Sequence, residues 1–365
     1  MAEAVRFKML YVAGMGLHNT STHRMWAFQR LGQQVIPADL SSYEEQGSPL
    51  MRKLRFRLQM GPAVNAFNRE LLGLALEHQP DVVWLDKQLM VQPATLRKLR
   101  KMGIATVNYT IDNPFGPRKD PGWRLYMKTI PEYDLHLVQR EQNIVDYNRL
   151  GARRVVKIQT AFEPTVEFPP PATWSDKDRD RQVSFIGNPY DQRAEFMTRL
   201  WREFHIPLTV SGSYLWKPPK LPLDVYDAVF REGALHDSQY REGIWRSRIN
   251  LSFVTRSNLD EFAHKSFEIA GAGGFLLQER SQGHLDRFVE DEECAYFSSL
   301  EECVEKIRRY LPDEAARTRI AAAGRQRAVA SGYDNDSQMS KGLAALNEIV
   351  PSVRSAAGIA LGTSS

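Results

Sequence analysis

The stretch Asp260–Glu279, DEFAHKSFEIAGAGGFLLQE, decides how the second half of this chain folds. Its first residues are polar and charged, and its middle has helical spacing around Glu268. The glycines of Gly271–Gly274 then separate the helix from the apolar Phe275–Leu277. Since glycine ends helices and short apolar runs form buried strands, this order predicts a loop, a short helix and a strand of a parallel sheet.

The charges in this stretch suit a diphosphate and a ribose. Arg256 and Lys265 are expected in a loop beside the helix N-terminus, where unpaired N–H groups and the helix dipole also favour an anion. Glu268, one turn further, can accept hydrogen bonds from a vicinal diol, and Ser266 lies between the two. The pattern predicts a nucleotide-sugar site, although a surface helix with scattered charges explains it equally well.

Strand and helix signals alternate along the rest of the chain. The first half has predicted strands at 7–13, 34–38, 81–85, 104–109, 135–138 and 155–158, and helices at 22–31, 62–78 and 95–102. The second half has strands at 182–187, 208–212 and 249–254, and helices at 194–204, 300–311 and 314–330. This alternation predicts an α/β fold of two Rossmann-like parallel sheets that face each other across a cleft.

Proline and charge clusters predict the domain boundaries. Residues 1–165 are expected to form an N-terminal, acceptor-side domain, and residues 166–181, which contain three consecutive prolines, a stiff solvated linker. Residues 182–335 are expected to form a C-terminal nucleotide-sugar domain, followed by a helix and frayed tail at 336–365.

Composition excludes several classes of protein. The chain of 365 residues carries a net charge of only +4, which is too mild for a nucleic-acid-binding protein. Its apolar runs are shorter than the roughly 20 residues of a spanning helix, and its first residues lack the apolar core of a signal peptide. The two cysteines, Cys294 and Cys303, have no metal-ligand spacing. We therefore expect a cytoplasmic protein. Contact with the surface of a membrane, through basic stretches of the first half, is compatible with this expectation.

Two turns of the second half are further candidates for binding a donor. Gly187 and Asn188 follow a predicted strand, and Arg193 opens the next helix. Glycine allows close approach of the backbone to a ligand, and arginine offers forked donors to phosphate. Gly212 ends the neighbouring strand and is included in the same donor-binding set. A plain strand-to-helix turn with a solvated arginine is the alternative.

The matching turn of the first half is a candidate for the acceptor side. Gly14 and Gly16 would open space for an acceptor, and His18 could act as a general base. Asp112 follows a buried strand and could take the acceptor proton. A helix-capping loop explains the first group, and a side-chain-to-backbone turn explains Asp112.

The sequence also contains two basic stretches and two acidic pairs. Arg52, Lys53, Arg55 and Arg57 alternate with apolar residues, and 97–101 is a second basic cluster. Both could meet an anionic membrane or an acidic acceptor, and a solvated helix face is the alternative. Two Asp-x-Asp sequences, at 178–180 and 334–336, lie in expected turns, so no metal site is assigned.

Together these motifs resemble a GT-B glycosyltransferase of the glycosyltransferase family 1 type, with the CgeB-like (spore maturation protein) group as the nearest branch. The resemblance is clearest over about 181–330 and rests on four segments: Phe185–Arg193, Tyr240–Val254, Lys265–Leu277 and Ile320–Arg325. In the first half, Ile111–Pro114 fits the acceptor half of that group. Asp260 stands where many retaining members have the first glutamate of a Glu-x7-Glu pair, so inversion or retention stays open.

The resemblance implies metal-independent transfer of a sugar from a UDP- or GDP-type donor, without a further cofactor. Glu268 would hold the ribose, and Arg256 with Lys265 would act as catalytic residues by stabilising the leaving diphosphate. The acceptor could be a glycan, a lipid carrier or a protein. A nucleotide-sugar epimerase of the same fold and a non-catalytic nucleotide- or sugar-binding protein are the alternatives.

Overall fold

The computed structural model describes residues 5–16, 19–117 and 120–358, and the chain divides into two compact units. Unit 1 contains the described residues up to Gln159 and those from Asn335 onward, and unit 2 is Thr160–Asp334. Each unit is built around its own six-stranded sheet.

Every strand pair in unit 1 is parallel, as predicted. Its strands are β1 (Lys8–Val12), β2 (Gln34–Ala38), β3 (Val82–Asp86), β4 (Ala105–Tyr109), β5 (Leu135–Val138) and β6 (Val155–Lys157). Its helices include α1 (Thr20–Arg30), α2 (Ser42–Glu45), α3 (Pro49–Leu58), α4 (Pro62–His78), α5 (Pro93–Lys101), α6 (Trp123–Thr129) and α7 (Glu141–Arg149).

Unit 2 repeats the same architecture, again with parallel pairing throughout. Its strands are β7 (Arg181–Ile186), β8 (Leu208–Ser211), β9 (Phe230–Glu232), β10 (Ser247–Ser252), β11 (Leu276–Glu279) and β12 (Ala295–Phe297). Its helices are α8 (Arg193–Arg202), α9 (Leu223–Val229), α10 (Asp237–Trp245), α11 (His264–Gly271), α12 (Gln282–Leu285), α13 (Leu300–Tyr310) and α14 (Glu314–Ala330).

The last helix, α15 (Asn335–Ala356), packs in unit 1. Its apolar side, which includes Met339, Leu346 and Val350, joins the core formed by Trp84 and Leu137 of the sheet. Helix α15 thus covers one face of the sheet, and α4 and α5 cover the other. The residues grouped as a C-terminal helix and tail therefore begin with a structural part of unit 1.

The boundary between the units differs from the expected linker. Residues 166–181 belong to unit 2, where the carbonyl of Val166 accepts a hydrogen bond from Arg241 at 2.9 Å. The carbonyl of Phe168 accepts one from Trp245 Nε1 at 2.9 Å, and Trp174 packs on the same indole. This stretch is therefore held against α10 at Val166, Phe168 and Trp174, while most residues of 171–180 are exposed to solvent.

The strand orders define where each sheet can bind a ligand. Unit 1 has the order β2-β1-β3-β4-β5-β6, and unit 2 has β12-β11-β10-β7-β8-β9. The order reverses between β1 and β3 in unit 1 and between β7 and β10 in unit 2. Since ligands of open parallel sheets bind at such reversals, beyond the carboxyl ends of the strands, each unit offers one crevice.

Among the described helices, none combines the length and the apolar character needed to cross a bilayer.

Candidate donor and acceptor sites

The crevice of unit 2 holds a compact cluster of polar side chains. Lys265 lies in the first turn of α11 and donates a hydrogen bond from Nζ to the hydroxyl of Tyr240 at 2.9 Å. That hydroxyl donates in turn to Glu268 Oε2 at 2.7 Å, and His264 Nε2 lies 2.9 Å from Glu268 Oε1. The ammonium of Lys265 also sits 4.5 Å from the centre of the Tyr240 ring.

The spacing of α11 creates this arrangement. His264 and Glu268 are four residues apart, so they share one face of the helix. Ala263 is the residue before the helix, which places Lys265 inside the first helical turn rather than in the preceding loop, where the sequence predicted it. The ammonium group therefore projects from the positive end of the helix dipole.

The electrostatics keep Glu268 ionised. Burial by itself would raise the pKa of Glu268, but His264, Lys265 and the Tyr240 hydroxyl together hold it well below its usual range. Burial lowers the pKa of Lys265, and the Glu268 carboxylate opposes that effect. Of the roughly four acceptor positions of a carboxylate, Tyr240 and His264 occupy two.

The predicted glycines line the neighbouring strand ends. A Cβ at Gly187 would lie 3.4 Å from Lys265 Cε, so the turn after β7 is directly beside the cluster. A Cβ at Gly212 would collide with the carbonyl oxygen of Gly187, and Trp216 Nε1 donates to that oxygen at 2.7 Å. Gly212 is needed for packing between the turns after β7 and β8. Asn188 is held by Ser213, whose hydroxyl lies 2.6 Å from Asn188 Oδ1.

Arg193 is buried and engaged by the protein itself. Its Nη2 donates to the carbonyls of Phe253 and Val254, each at 3.2 Å, and to Thr255 Oγ1 at 3.0 Å. Its Nη1 donates to the carbonyl of Asn188 at 3.3 Å. Arg193 thus ties the turn after β7 to the end of β10, while its positive charge contributes to lowering the pKa of Lys265.

Arg256 belongs to a second group at the same edge of the sheet. Its guanidinium lies 2.5 Å from Glu279 at the end of β11, and its backbone N–H donates to Asp191 Oδ2 at 2.9 Å. Arg256 and Arg193 line a cavity of about 580 Å³ that Lys265 does not line. The side chain of Arg256 turns toward Glu279 because that carboxylate is its nearest opposite charge, so it does not join Lys265 and Glu268.

Ser266 lies behind the cluster and is fully buried. Its hydroxyl is 3.0 Å from Ser252 Oγ and 3.2 Å from His284 Nε2. His284 donates from Nδ1 to the carbonyl of Glu279 at 2.7 Å and accepts at Nε2 from the N–H of Ala263 at 2.9 Å. Burial lowers the pKa of His284 to about 4, so the ring is neutral near pH 7. Ser266 and His284 therefore fix the start of α11 from inside.

Three members of the cluster were missed in the sequence: Glu167, Tyr240 and His264. Glu167 is buried and accepts from the N–H of Glu163 at 2.6 Å. Burial and the negative charge of Glu268 raise the pKa of Glu167 well above its usual range. The spacing of His264 from Glu268 could have revealed one of the three. The other two are 28 and 101 residues away from Glu268 in the sequence, where no local pattern connects them.

The crevice of unit 1 is a cavity of about 390 Å³ that both Gly14 and Asp112 line. Asp112 follows β4 and pairs with Lys87, which follows β3, and both side chains are substantially exposed. The carbonyl of Gly14 accepts from Ser21 Oγ at 2.8 Å, and that of Gly16 from Thr22 Oγ1 at 2.7 Å. The glycine turn thus holds the start of α1.

A buried ion pair forms the floor of this cavity. Arg24 Nε lies 2.8 Å from Asp86 Oδ2, and Arg24 Nη2 lies 3.0 Å from Asp86 Oδ1. Tyr11 donates its hydroxyl to Asp86 at 2.9 Å, and the Arg24 guanidinium stacks over Tyr109. Neither Arg24 nor Asp86 was singled out in the sequence.

His18, predicted as a general base, lies outside the described residues. Within 5–16, 19–117 and 120–358, no group of three or more His, Cys, Asp or Glu side chains is arranged to hold a metal ion.

Residues 188–344 match the family model described as glycosyl transferase-like. No curated protein sequence matches the chain. Solved structures match it over nearly its whole length. Sucrose-phosphate synthase from Thermosynechococcus elongatus has a TM-score of 0.65 at 12% identity and covers 93% of this chain and 99% of its own.

Two more solved structures are similar. An E. coli trehalose-6-phosphate structure bound with UDP-2-fluoro glucose has a TM-score of 0.63 at 13% identity, covering 94% of this chain and 99% of its own. HepE of Anabaena, in complex with UDP, has a TM-score of 0.59 at 11% identity, covering 93% and 100%. At such identities the likeness establishes the fold, and the predicted GT-B fold is confirmed.

The family match, which lies almost entirely within unit 2, bears out the expected enzyme class, a glycosyltransferase. It does not single out the CgeB-like group, which stays a prediction.

Proposed function

Taking the chain as a glycosyltransferase, we propose that unit 2 binds a nucleoside-diphosphate sugar and that the sugar is transferred to a hydroxyl group of an acceptor bound by unit 1. The observation that carries the proposal is the cluster of Lys265, Tyr240 and Glu268 at the strand-order reversal of unit 2. It combines a cation, a helix N-terminus and an ionised acid, which are the groups that a nucleotide sugar requires.

Lys265 is proposed as the catalytic cation. When the bond between the sugar and the diphosphate breaks, negative charge builds on the leaving group. A fixed ammonium at the start of α11 stabilises that charge more in the transition state than in the bound donor. Arg256, on the neighbouring cavity, is proposed to assist from its ion pair with Glu279. With the charge met by these side chains, we propose that the transfer needs neither a metal ion nor a further cofactor.

Glu268 is proposed to hold the ribose of the donor. Its carboxylate is fixed by Tyr240 and His264 and is kept ionised, and we propose that its remaining acceptor positions receive the two hydroxyls of a ribose. The glycine turn at Gly187 lies beside Lys265 and gives the diphosphate room to approach the backbone.

A UDP-sugar is the first donor to test. Two of the similar structures carry UDP or a UDP-sugar analogue by their descriptions, which favours this donor over a GDP-sugar.

Asp112 is proposed to take the proton from the acceptor in the cavity of unit 1. It lies beyond the carboxyl end of β4, is exposed to solvent and has Lys87 beside it. The acceptor classes are a glycan, a lipid carrier or a protein, and nucleic acid is not among them. We further propose a place in the CgeB-like group and a cytoplasmic location.

Titration calorimetry with UDP and GDP tests the donor site. Wild-type protein should bind one of them, and Glu268→Ala should weaken that binding about 10- to 100-fold, because hydrogen bonds to a charged group contribute about 1.5–3 kcal/mol. Glu305→Ala, on an exposed position of α13, is the matched control and should bind as the wild type does. Equal affinity of the Glu268→Ala and wild-type proteins would remove Glu268 from the site.

Product analysis with the tighter donor then distinguishes the functions. Sugar attached to one of a panel of acceptors supports the transferase. Conversion of the nucleotide sugar without any acceptor would instead identify an epimerase. Tight binding without turnover on any acceptor would identify a binding protein and overturn the proposed reaction.

A further inference from the structure

Helix α3 (Pro49–Leu58) differs from the other long helices of unit 1 because it buries none of its residues. Leu50 is 76% exposed and Leu54 55% exposed, and Met51 and Leu58 are exposed as well. Large apolar side chains scattered singly on a surface are ordinary, but four on one short helix form a patch.

The four side chains form a continuous stripe. With about 3.6 residues per turn, Leu50, Met51, Leu54 and Leu58 fall within a sector of roughly 100°. In a globular protein such a stripe normally faces the core. In α3 it faces solvent.

Other contacts fix α3 in this inverted orientation. Phe56 projects from the opposite side and, although 46% exposed, lies against Gly122, where an added Cβ would come within 2.8 Å of the ring. Arg55 donates to the carbonyls of Gln46, at 2.8 Å, and of Glu44. The side of the helix that carries Phe56 and Arg55 therefore contacts unit 1, and the leucine stripe faces solvent.

Basic residues border the exposed stripe. Lys53 and Arg57 lie along one side of it and Arg55 along the other, with Arg52 further round the helix. Residues 46–60 contain these four cations and no acidic residue. The patch thus combines an apolar centre with a positive border that Lys53 and Arg57 form along one side, while Arg55 on the other side is engaged by backbone carbonyls.

We propose that α3 is an interfacial helix that lies on an anionic lipid surface, with the leucine stripe inserted at the boundary of headgroups and acyl chains and the basic residues at the headgroups. Helices that lie in the plane of a membrane combine these two features. Ten residues of helix extend only about 15 Å, which suits a helix lying on the surface of the bilayer and not one crossing it.

Charge complementarity favours an anionic lipid surface as the partner of α3. A second copy of the chain would bring the same cations against themselves, which is unfavourable. An anionic bilayer satisfies the apolar stripe and the cations together, and each basic residue near such a surface contributes about 1 kcal/mol. The proposal does not rest on the identity of the donor or the acceptor.

Flotation of the full chain with lipid vesicles tests the apolar stripe. The protein should float with vesicles of phosphatidylcholine plus phosphatidylglycerol and not with phosphatidylcholine alone. Leu54→Glu should reduce the bound fraction at least tenfold, because it places a charge where a leucine would be buried. Leu76→Glu, at an exposed leucine of α4 in the same unit, is the control and should bind normally.

A second pair of variants tests the cations. Lys53→Ala/Arg57→Ala should weaken partitioning about 30-fold, the equivalent of two basic residues, and raising the salt concentration should weaken wild-type binding in the same direction. Lys98→Ala/Lys101→Ala removes two exposed cations from α5 and should have little effect.

Three results would overturn the proposal: no flotation of the wild type, equal loss in the α4 or α5 controls, or equal binding to neutral vesicles. Analytical sedimentation without lipid tests the alternative that the stripe binds a second copy of the chain. A wild-type dimer that Leu54→Glu converts to a monomer would show that α3 joins two chains instead. Circular dichroism of each variant verifies that a loss of binding does not come from unfolding.

Discussion

The two strand-order reversals of this protein have the same architecture but use their charges differently. In unit 1 the guanidinium of Arg24 is buried in a two-point ion pair with Asp86, and the exposed Lys87 is paired with Asp112. In unit 2 Lys265 and Glu268 reach the same hydroxyl, that of Tyr240, and their ammonium and carboxylate groups are 3.8 Å apart.

The difference indicates what each crevice can bind. The two cations that line the cavity of unit 1, Arg24 and Lys87, are matched by carboxylates of the protein, so this cavity suits a hydroxyl-bearing ligand of low charge. In unit 2 the cation stands at a helix N-terminus, which adds positive character for which the protein supplies only part of the compensation. That crevice is the one suited to a diphosphate.

The largest effect is expected from breaking the buried pair of unit 1. Arg24→Ala should lower the free energy of unfolding by about 3–5 kcal/mol, because it leaves Asp86 buried without its partner. Denaturation with urea measures the change. The double variant Arg24→Met/Asp86→Leu should recover most of it, and a single variant as stable as the wild type would show that the pair is dispensable.

The second largest effect, on catalysis, is expected for Lys265 and not for Lys87. Lys265→Ala should lower kcat by about 10²–10³-fold through loss of charge stabilisation on the leaving group, with a much smaller effect on thermal stability. Lys87→Ala should leave the affinity for the donor nucleotide unchanged, since Lys87 belongs to the cavity of unit 1. Steady-state kinetics and calorimetry provide the two measurements, and full activity of the Lys265→Ala protein would contradict the role of Lys265.

Acid should destabilise both units through one buried histidine in each. Burial lowers the pKa of His136 in unit 1 and of His284 in unit 2 to about 4. The unfolded chain therefore binds more protons than the folded one as pH falls from about 6.5 to 4, and the stabilisation present above pH 6.5 is lost over that range. Each histidine contributes a loss of up to about 3 kcal/mol.

Unfolding curves recorded between about pH 4 and 6.5 test whether His136 and His284 cause this loss of stability. His284→Gln should reduce the slope of stability against pH, and His136→Gln should do the same independently. An unchanged slope in either variant would exclude that histidine. In unit 2 the protonated ring could no longer accept from Ala263, so acid should also weaken donor binding.

The smallest effect concerns the exposed pair of unit 1. Lys87→Ala should change the free energy of unfolding by less than about 1 kcal/mol, because solvent screens an ion pair between exposed side chains. Urea denaturation beside Arg24→Ala compares the two pairs directly. A loss of stability as large as that of Arg24→Ala would mean that burial does not account for the difference between the two ion pairs.

Much of the fold could be predicted because, in long segments, the spacing of apolar residues indicates whether the segment is a helix or a strand. The predicted helices 62–78 and 314–330 agree with α4 and α14 at both ends. The three-residue strands β9 and β12 were missed, whereas β6, equally short, was predicted from its apolar Val155 and Val156. The basic residues of α3 were interpreted either as a surface for an anionic membrane or acidic acceptor or as a solvated helix face, since a pattern of residues cannot tell which side of a helix is attached to the protein.

The candidate site could be predicted only in part. Lys265, Glu268 and Gly187 lie together as the motif suggested, but Arg256 pairs with Glu279, and Arg193 is engaged by backbone carbonyls. The choice of partner depends on which strands are adjacent, and β10 lies between β7 and β11 although the three are far apart in sequence.

The sequence by itself determined the alternation of strands and helices, the glycine turns and the position of the acid Glu268 on a short helix, because these depend on residues a few positions apart. Only the tertiary structure decided that Tyr240 joins Lys265 to Glu268, that Glu167 is buried beside them and that Arg24 is neutralised by Asp86. Electrostatic and hydrogen-bonding partners are selected by distance in space, and that distance is set by the order of the strands.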